Sequence, residues 1–151
     1  MTKSKLAILL VGLMTSLSAA AAINQVPNLN EARAEIVTRY ITDLGSANTQ
    51  DIISLFDKNG TVVSTSRGSM NAKEFFNAFL PEIVDAATVI NQTFLGVTDA
   101  DRMTARFHFS FKLKNGETGE GEYLDEFVFN NNSILLSEVI MFENTKYSPL
   151  K

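Results

Sequence analysis

The chain has no cysteine and a single histidine, His108. The first absence removes thiolate metal sites, cysteine nucleophiles and a disulfide framework. The second leaves a histidine-based zinc centre short of ligands, so no metal and no other cofactor is expected. There is no basic stripe: 13 Lys and Arg stand against 17 Asp and Glu, for a formal net charge of −4. A nucleic-acid partner is therefore not expected. No internal repeat and no low-complexity tract occurs, and the one apolar run near the N-terminus is too short to span a bilayer.

That run nevertheless has a recognisable setting. Lys3 and Lys5 precede Leu6 to Met14, and the small residues Ser18 to Ala22 offer several A-x-A cleavage options. Residues 1–22 thus read as a signal peptide, with an uncleaved membrane anchor as the other reading. An exported protein without disulfides fits a bacterial periplasm, so the expected location is periplasmic or secreted, with no membrane contact after signal removal. Residues 23–30 read as a linker and 31–145 as one domain. The residues from Glu143 onward look like a tail, and 146–151 are assigned to it. About 130 residues after cleavage suffice for one domain with one core.

Within the domain, Asn28 or Asn30 can cap a helix that starts near Glu31. Ile36, Tyr40, Ile41 and Leu44 lie on its apolar face, Arg33, Glu35, Arg39 and Asp43 mostly elsewhere, and Gly45 ends it. Asn48 and Asp51 open a shorter helix with Ile52, Leu55 and Phe56 on its apolar side. Asp57 to Gly60 read as a turn and Thr61 to Ser66 as a strand rich in β-branched residues. Asn71 and Glu74 start a third helix around Phe75, Phe76, Phe79 and Leu80, which Pro81 ends or kinks. Strands then follow over Ala87–Gly96, Met103–Lys114, Glu120–Phe129 and Ser133–Phe142. Asn115-Gly116 is a strong hairpin signal. Three helices followed by a strand meander argue for an α+β fold. The expected architecture is a cone-shaped curved antiparallel sheet wrapped around three N-terminal helices, with an apolar interior suited to a small molecule.

The order of elements resembles the nuclear-transport-factor-2-like superfamily, in particular the branch of SnoaL-like polyketide cyclases and ketosteroid isomerases. The segments that carry the resemblance are Arg39-Tyr40-Ile41, Asp51 to Phe56, Gly60-Thr61-Val62-Val63, Glu74-Phe75-Phe76 and Leu124 to Phe129. The resemblance implies an oxyanion hole: Tyr40 matches the isomerases' helix tyrosine, and Asp125 matches their neutral aspartic acid. It also implies a missing base. The position of the isomerases' catalytic carboxylate reads Ser64, whose hydroxyl has no useful basicity near neutral pH.

Two residues could substitute for that base. Glu138 shares a strand face with Ile134, Leu136, Ile140 and Phe142, as a cavity group or a rim residue. His108 is placed on the cavity side by the resemblance. The alternating Phe107, Phe109 and Phe111 argue for the opposite face, a conflict that a second subunit on the convex side would reconcile. Asp125 shares a face with Tyr123, Phe127 and Phe129, which is either the cavity or the outside, since alternation alone cannot choose. The tentative catalytic set is Tyr40, Asp125, Glu138 and His108. The ligand-binding set is Phe56, Ser64, Phe79, Tyr123, Phe127, Ile140 and Phe142. Three functions stay open: an exported protein binding a small apolar ligand without turnover; an isomerase- or cyclase-like enzyme using Tyr40 and Asp125; and a homodimeric interaction module, paired through the sheet, with a vestigial cavity.

Overall fold

The computed structural model describes residues 28–148. The expected signal peptide and most of the expected linker lie outside the described residues. Helix α1 runs Leu29–Gly45, and Asn28 caps it in a reciprocal box: its side chain accepts from the Glu31 N–H at 3.0 Å, and Glu31 accepts from the Asn28 N–H at 3.1 Å. The buried residues Ile36, Val37, Tyr40, Ile41 and Leu44 recur at helical spacing. Arg33 lies on the same buried face and is only 1% exposed, contrary to the reading that put it on the polar side. Helix α2 spans Thr49–Ser54 under the Asn48 cap. Helix α3 spans Ala72–Phe79, capped by Asn71 through the Lys73 N–H rather than through Glu74, and Pro81 sits in a 3₁₀ turn that follows.

Six strands form one sheet: β1 Phe56–Ser64, β2 Gly68–Asn71, β3 Ile83–Leu95, β4 Arg102–Leu113, β5 Thr118–Phe129 and β6 Leu136–Ser148, in the order β2-β1-β6-β5-β4-β3. The meander β3 to β6 is antiparallel throughout, whereas β1 runs parallel to β6. The α+β class stands, but the cone-shaped antiparallel sheet around three N-terminal helices does not. The sheet is mixed and open, neither closed nor strongly curled, with β2 and β3 as its two edges. The helices are dispersed, because β1 and β2 precede α3. Local alternation reports which residues share a face; it carries no information on a parallel ladder whose partners, such as Thr61 and Glu138, are 77 residues apart, or on how far a sheet bends.

Three boundaries also move. Asp57 to Gly60 belong to β1, where they make an irregularity between the Phe56–Leu136 and Thr61–Glu138 pairs. β2 has a single large apolar residue, Met70, and gives no alternation signal. β6 extends to Ser148, so the expected tail from Glu143 is largely strand. The helices cover one face of the sheet: α1 lies against β3 and β4, and α3 against β1 and β2. Val37, Tyr40 and Ile41 of α1, Phe76 of α3, and Phe107, Phe127, Leu136 and Val139 of the sheet are fully buried between the layers. Among the described residues, no helix is long and apolar enough to cross a membrane.

Candidate ligand-binding site

The inward positions of β4 and β5 are fixed by their pairing. Phe107 stands opposite Tyr123, Ala105 opposite Asp125, Met103 opposite Phe127, and Phe109 and Phe111 opposite Gly121 and Gly119. The Phe111 ring packs directly over Gly119, where a side chain would collide with it. The inner face carries a cavity of about 270 Å³. Its depth is formed by Leu44, Phe75, Phe109, Phe111, Tyr123, Asp125 and Met141, all buried, while Ser66, Arg67 and Glu117 are exposed at its mouth. Half-buried Phe79, Leu113 and Glu143 line it between the two.

Aromatic rings run along the wall in edge or tilted contact: Phe79 to Phe111 at 5.4 Å, Phe111 to Phe109 at 5.1 Å and Phe109 to Tyr123 at 5.6 Å between centroids. Next to the last ring stands Asp125, fully buried, with neither carboxylate oxygen hydrogen-bonded among the described residues. Burial pushes its carboxyl well above the usual carboxylate range, and the neighbouring Glu143 adds to the shift in the same direction. A carboxyl that holds its proton more tightly than usual thus stands at the deep end of the cavity, and its protonated form has an O–H to donate.

Tyr40 lies behind that wall rather than on it. Its ring is 5.0 Å from Phe127, 5.9 Å from Phe76 and 6.2 Å from Phe56, and its buried hydroxyl has no hydrogen-bond partner among the described residues. Burial raises its pKa, followed by the charges of Asp125, Tyr123 and Glu143, so the four groups form one electrostatic cluster. Phe56 and Phe127 pack around Tyr40 in the core, whereas Phe79 and Tyr123 line the cavity. Ser64 is buried and accepts the Arg67 N–H at 3.1 Å, holding the turn between β1 and β2.

The remaining sequence-derived candidates do not reach the cavity. His108 faces outward, a third exposed, with Nδ1 3.2 Å from Glu122 and Nε2 3.4 Å from Glu120; the phenylalanine row takes the interior. Glu138 is directed outward as well and accepts the Thr61 hydroxyl at 3.2 Å. The cause is a bulge: Phe129 pairs with Leu136 and Val128 with Glu138, leaving Ser137 as an extra residue whose hydroxyl donates to the Val128 carbonyl at 3.1 Å. One extra residue exchanges the faces of everything after it. Val139, Met141 and Glu143 therefore point inward, while Glu138, Ile140 and Phe142 point outward, and Phe142 is 53% exposed. Sequence reasoning missed Glu143 and Met141 for this reason. It missed Arg67 because nothing marked the β1–β2 turn. The larger concavity, about 840 Å³, is an open trough on the outer face lined by His108, Lys112, Glu120, Glu122 and Lys146. Lacking the enclosed apolar depth of the inner cavity, it is the weaker candidate. Among the described residues, no three His, Asp or Glu side chains converge as metal ligands would.

No family model matches the sequence, and no curated protein does. Solved structures match the fold. An NTF2-like protein of unknown function from Exiguobacterium sp. 255-15 superposes with a TM-score of 0.58 at 18% identity, covering 70% of this chain and 95% of that one. A Mycobacterium tuberculosis protein in complex with estradiol-17beta-hemisuccinate gives a TM-score of 0.61 at 11% identity, over 75% of this chain and 94% of that one. A Delta 5-3-ketosteroid isomerase of Mycobacterium sp. gives 0.63 at 8% identity, over 78% and 98%. The chain therefore has the nuclear-transport-factor-2-like fold, the fold of ketosteroid-isomerase-like enzymes. Identities this low carry the fold and nothing finer.

Proposed function

We propose that the chain is an exported small-molecule-binding domain whose inner cavity takes an apolar compound bearing a hydrogen-bond acceptor. The observation that carries this reading is Asp125: a fully buried acid without a hydrogen-bond partner among the described residues, on the wall of an apolar cavity. Such a group is costly to bury unless something accepts its proton, and a ligand carbonyl or hydroxyl would do so. The fold is shared with a protein seen in complex with a steroid ester, which supports the same reading. An engineered cavity of about 150 Å³ takes benzene, so about 270 Å³ suits one or two rings. The test is a melting-temperature series with one- and two-ring ketones against hydrocarbons of equal size. A stabilisation of about 2.7 kcal/mol is expected for ketones at a hundred times Kd. Equal shifts for ketones and hydrocarbons, or none for either, would sink the proposal.

Two further parts belong to this reading. Export rests on the N-terminal pattern, and mass spectrometry of the mature chain from a secreting host, showing loss of about 22 residues, would support it. A homodimer through the outer sheet face rests on the exposed cross-strand pair Leu124 and Phe142; sedimentation of Phe142→Glu against the parent checks it.

One observation favours turnover as a second reading. Glu143 lines the cavity together with Asp125, so a carboxyl that can take a proton and one that can donate a hydrogen bond share one space. In that case bound ketones would exchange their α-protons with deuterium oxide faster than free ketones, and Glu143→Gln would abolish the difference.

A further inference from the structure

We propose that the cavity selects an amphiphilic monoanion: a flat apolar ring body against the aromatic wall, with one carboxylate at the mouth paired to the Arg67 guanidinium. This rests on the reading above that the cavity binds a small apolar ligand.

Arg67 lines the mouth from the turn between β1 and β2, three residues after Ser64, whose hydroxyl oxygen accepts its backbone N–H at 3.1 Å. The guanidinium carbon lies 5.7 Å from the Phe75 ring centroid and 6.0 Å from that of Phe79. Those two rings belong to the cavity wall, so the cation is held against the wall that a ligand would also contact. A guanidinium placed over ring faces keeps its in-plane N–H donors for a carboxylate. Arg67 makes no ion pair among the described residues, in contrast to Arg33 and Arg102, which are both paired to acids.

From Arg67 the rings continue inward through Phe79, Phe111 and Phe109 to Tyr123, and Asp125 follows. A strip of aromatic surface thus joins the cation at the mouth to the buried carboxyl of Asp125 at the far end.

The test is isothermal titration calorimetry on the full chain with three probes of one shape: naphthoate, its neutral isostere acetylnaphthalene, and naphthylmethylammonium. Naphthoate is expected to bind about tenfold tighter than acetylnaphthalene, and high salt is expected to weaken naphthoate alone. Arg67→Gln is expected to erase that tenfold difference while leaving acetylnaphthalene within about twofold of its parental affinity. Arg106→Gln, on the outer face, is expected to change nothing. Equal binding of naphthoate and acetylnaphthalene would overturn the proposal and leave the apolar-ligand reading intact. So would tightest binding of the ammonium, or an advantage for naphthoate that survives Arg67→Gln. Failure of all three probes to bind the parent chain would overturn the underlying reading, and this proposal with it.

Discussion

Replacing Arg33 by methionine keeps the length of an apolar stem on the buried face of α1 but removes every polar contact at its end. The guanidinium donates to the carbonyls of Ser133 at 2.9 Å, Ala100 at 2.7 Å and Asn130 at 2.9 Å, and to the Asp101 carboxylate at 2.7 Å, and it lies 4.9 Å from the centre of the Phe129 ring. Hydrogen bonds to charged groups contribute about 1.5–3 kcal/mol each, but four such values cannot be summed within a domain stability of about 5–15 kcal/mol. Some partners recover after the substitution. The Asn130 carbonyl keeps the Ser133 N–H at 3.0 Å, Ala100 is exposed, and the Asp101 side chain is 38% exposed, so water reaches both. A net loss of about 3 kcal/mol follows, at the low end for truncating one member of a buried charged network. In a domain of this size that lowers the melting temperature by about 10 °C. Urea denaturation is the assay, with the midpoint expected to fall at unchanged slope. Arg33→Lys is expected to cost nearly as much, because an ammonium cannot reach three carbonyls in a planar fork. Asp101→Asn is expected to cost under about 1 kcal/mol. The clamped loops lie at the ends of β4 and β5 away from the Leu113–Glu117 turn, so ligand affinity well below the midpoint is expected to hold. A loss below about 1 kcal/mol for Arg33→Met, or an equal loss for Asp101→Asn, would refute this account of the clamp.

Asp125→Leu is expected to stabilise the protein by about 1–3 kcal/mol at neutral pH while abolishing the preference for ketones, because it removes a buried acid with no partner of its own. The parent's stability is expected to fall as pH rises above the ordinary carboxylate value of 3.8, since there the unfolded chain has released a proton that folded Asp125 keeps. That slope should be absent from Asp125→Leu in denaturation curves taken across pH. Gly119→Ala would drive a Cβ into the Phe111 ring, which lines the cavity; a loss of about 1–3 kcal/mol and weaker ligand binding are expected by calorimetry. Asn28→Ala opens the capping box of α1 and is expected to cost about 1 kcal/mol in thermal melts.

Much of this architecture was legible where the sequence signal is local. Asn28 with Glu31 marks the start of α1; at its other end Gly45 is the last helical residue, and Ala47 (φ 52°) rather than the glycine takes the left-handed conformation. Asn115-Gly116 marks a hairpin, and Gly116 adopts the positive φ of 87° that such turns use. Alternation put the phenylalanine row of β4 and His108 on opposite faces, and the three rings took the interior, against the placement of His108 on the cavity side. What escaped was non-local or even-handed. The buried Arg33 is polar, and its partners are loop carbonyls 67 to 100 residues away, which no periodicity reports. The parallel β1–β6 ladder, the open sheet and the dispersed helices arise from strand order rather than from pattern. In β6 the run Val139-Ile140-Met141-Phe142 is apolar on both faces, so alternation could not decide which carboxylate, Glu138 or Glu143, enters the cavity.

That decision belongs to Ser137. The inward set on β6 is chosen by parity, and parity is set by a single looped-out residue held by its hydroxyl to Val128. Were Ser137 drawn into the ladder, with the bulge lost and no residue removed, Ile140 and Phe142 would replace Met141 and Glu143 on the cavity wall without altering any letter of the strand, whereas deleting Ser137 would leave every other pair in place. Among proteins of this fold, the chemistry that the last strand lends to the cavity can therefore diverge by gain or loss of a bulge as readily as by substitution. Two sequences aligned without a gap at this point would have their lining residues matched to the wrong neighbours.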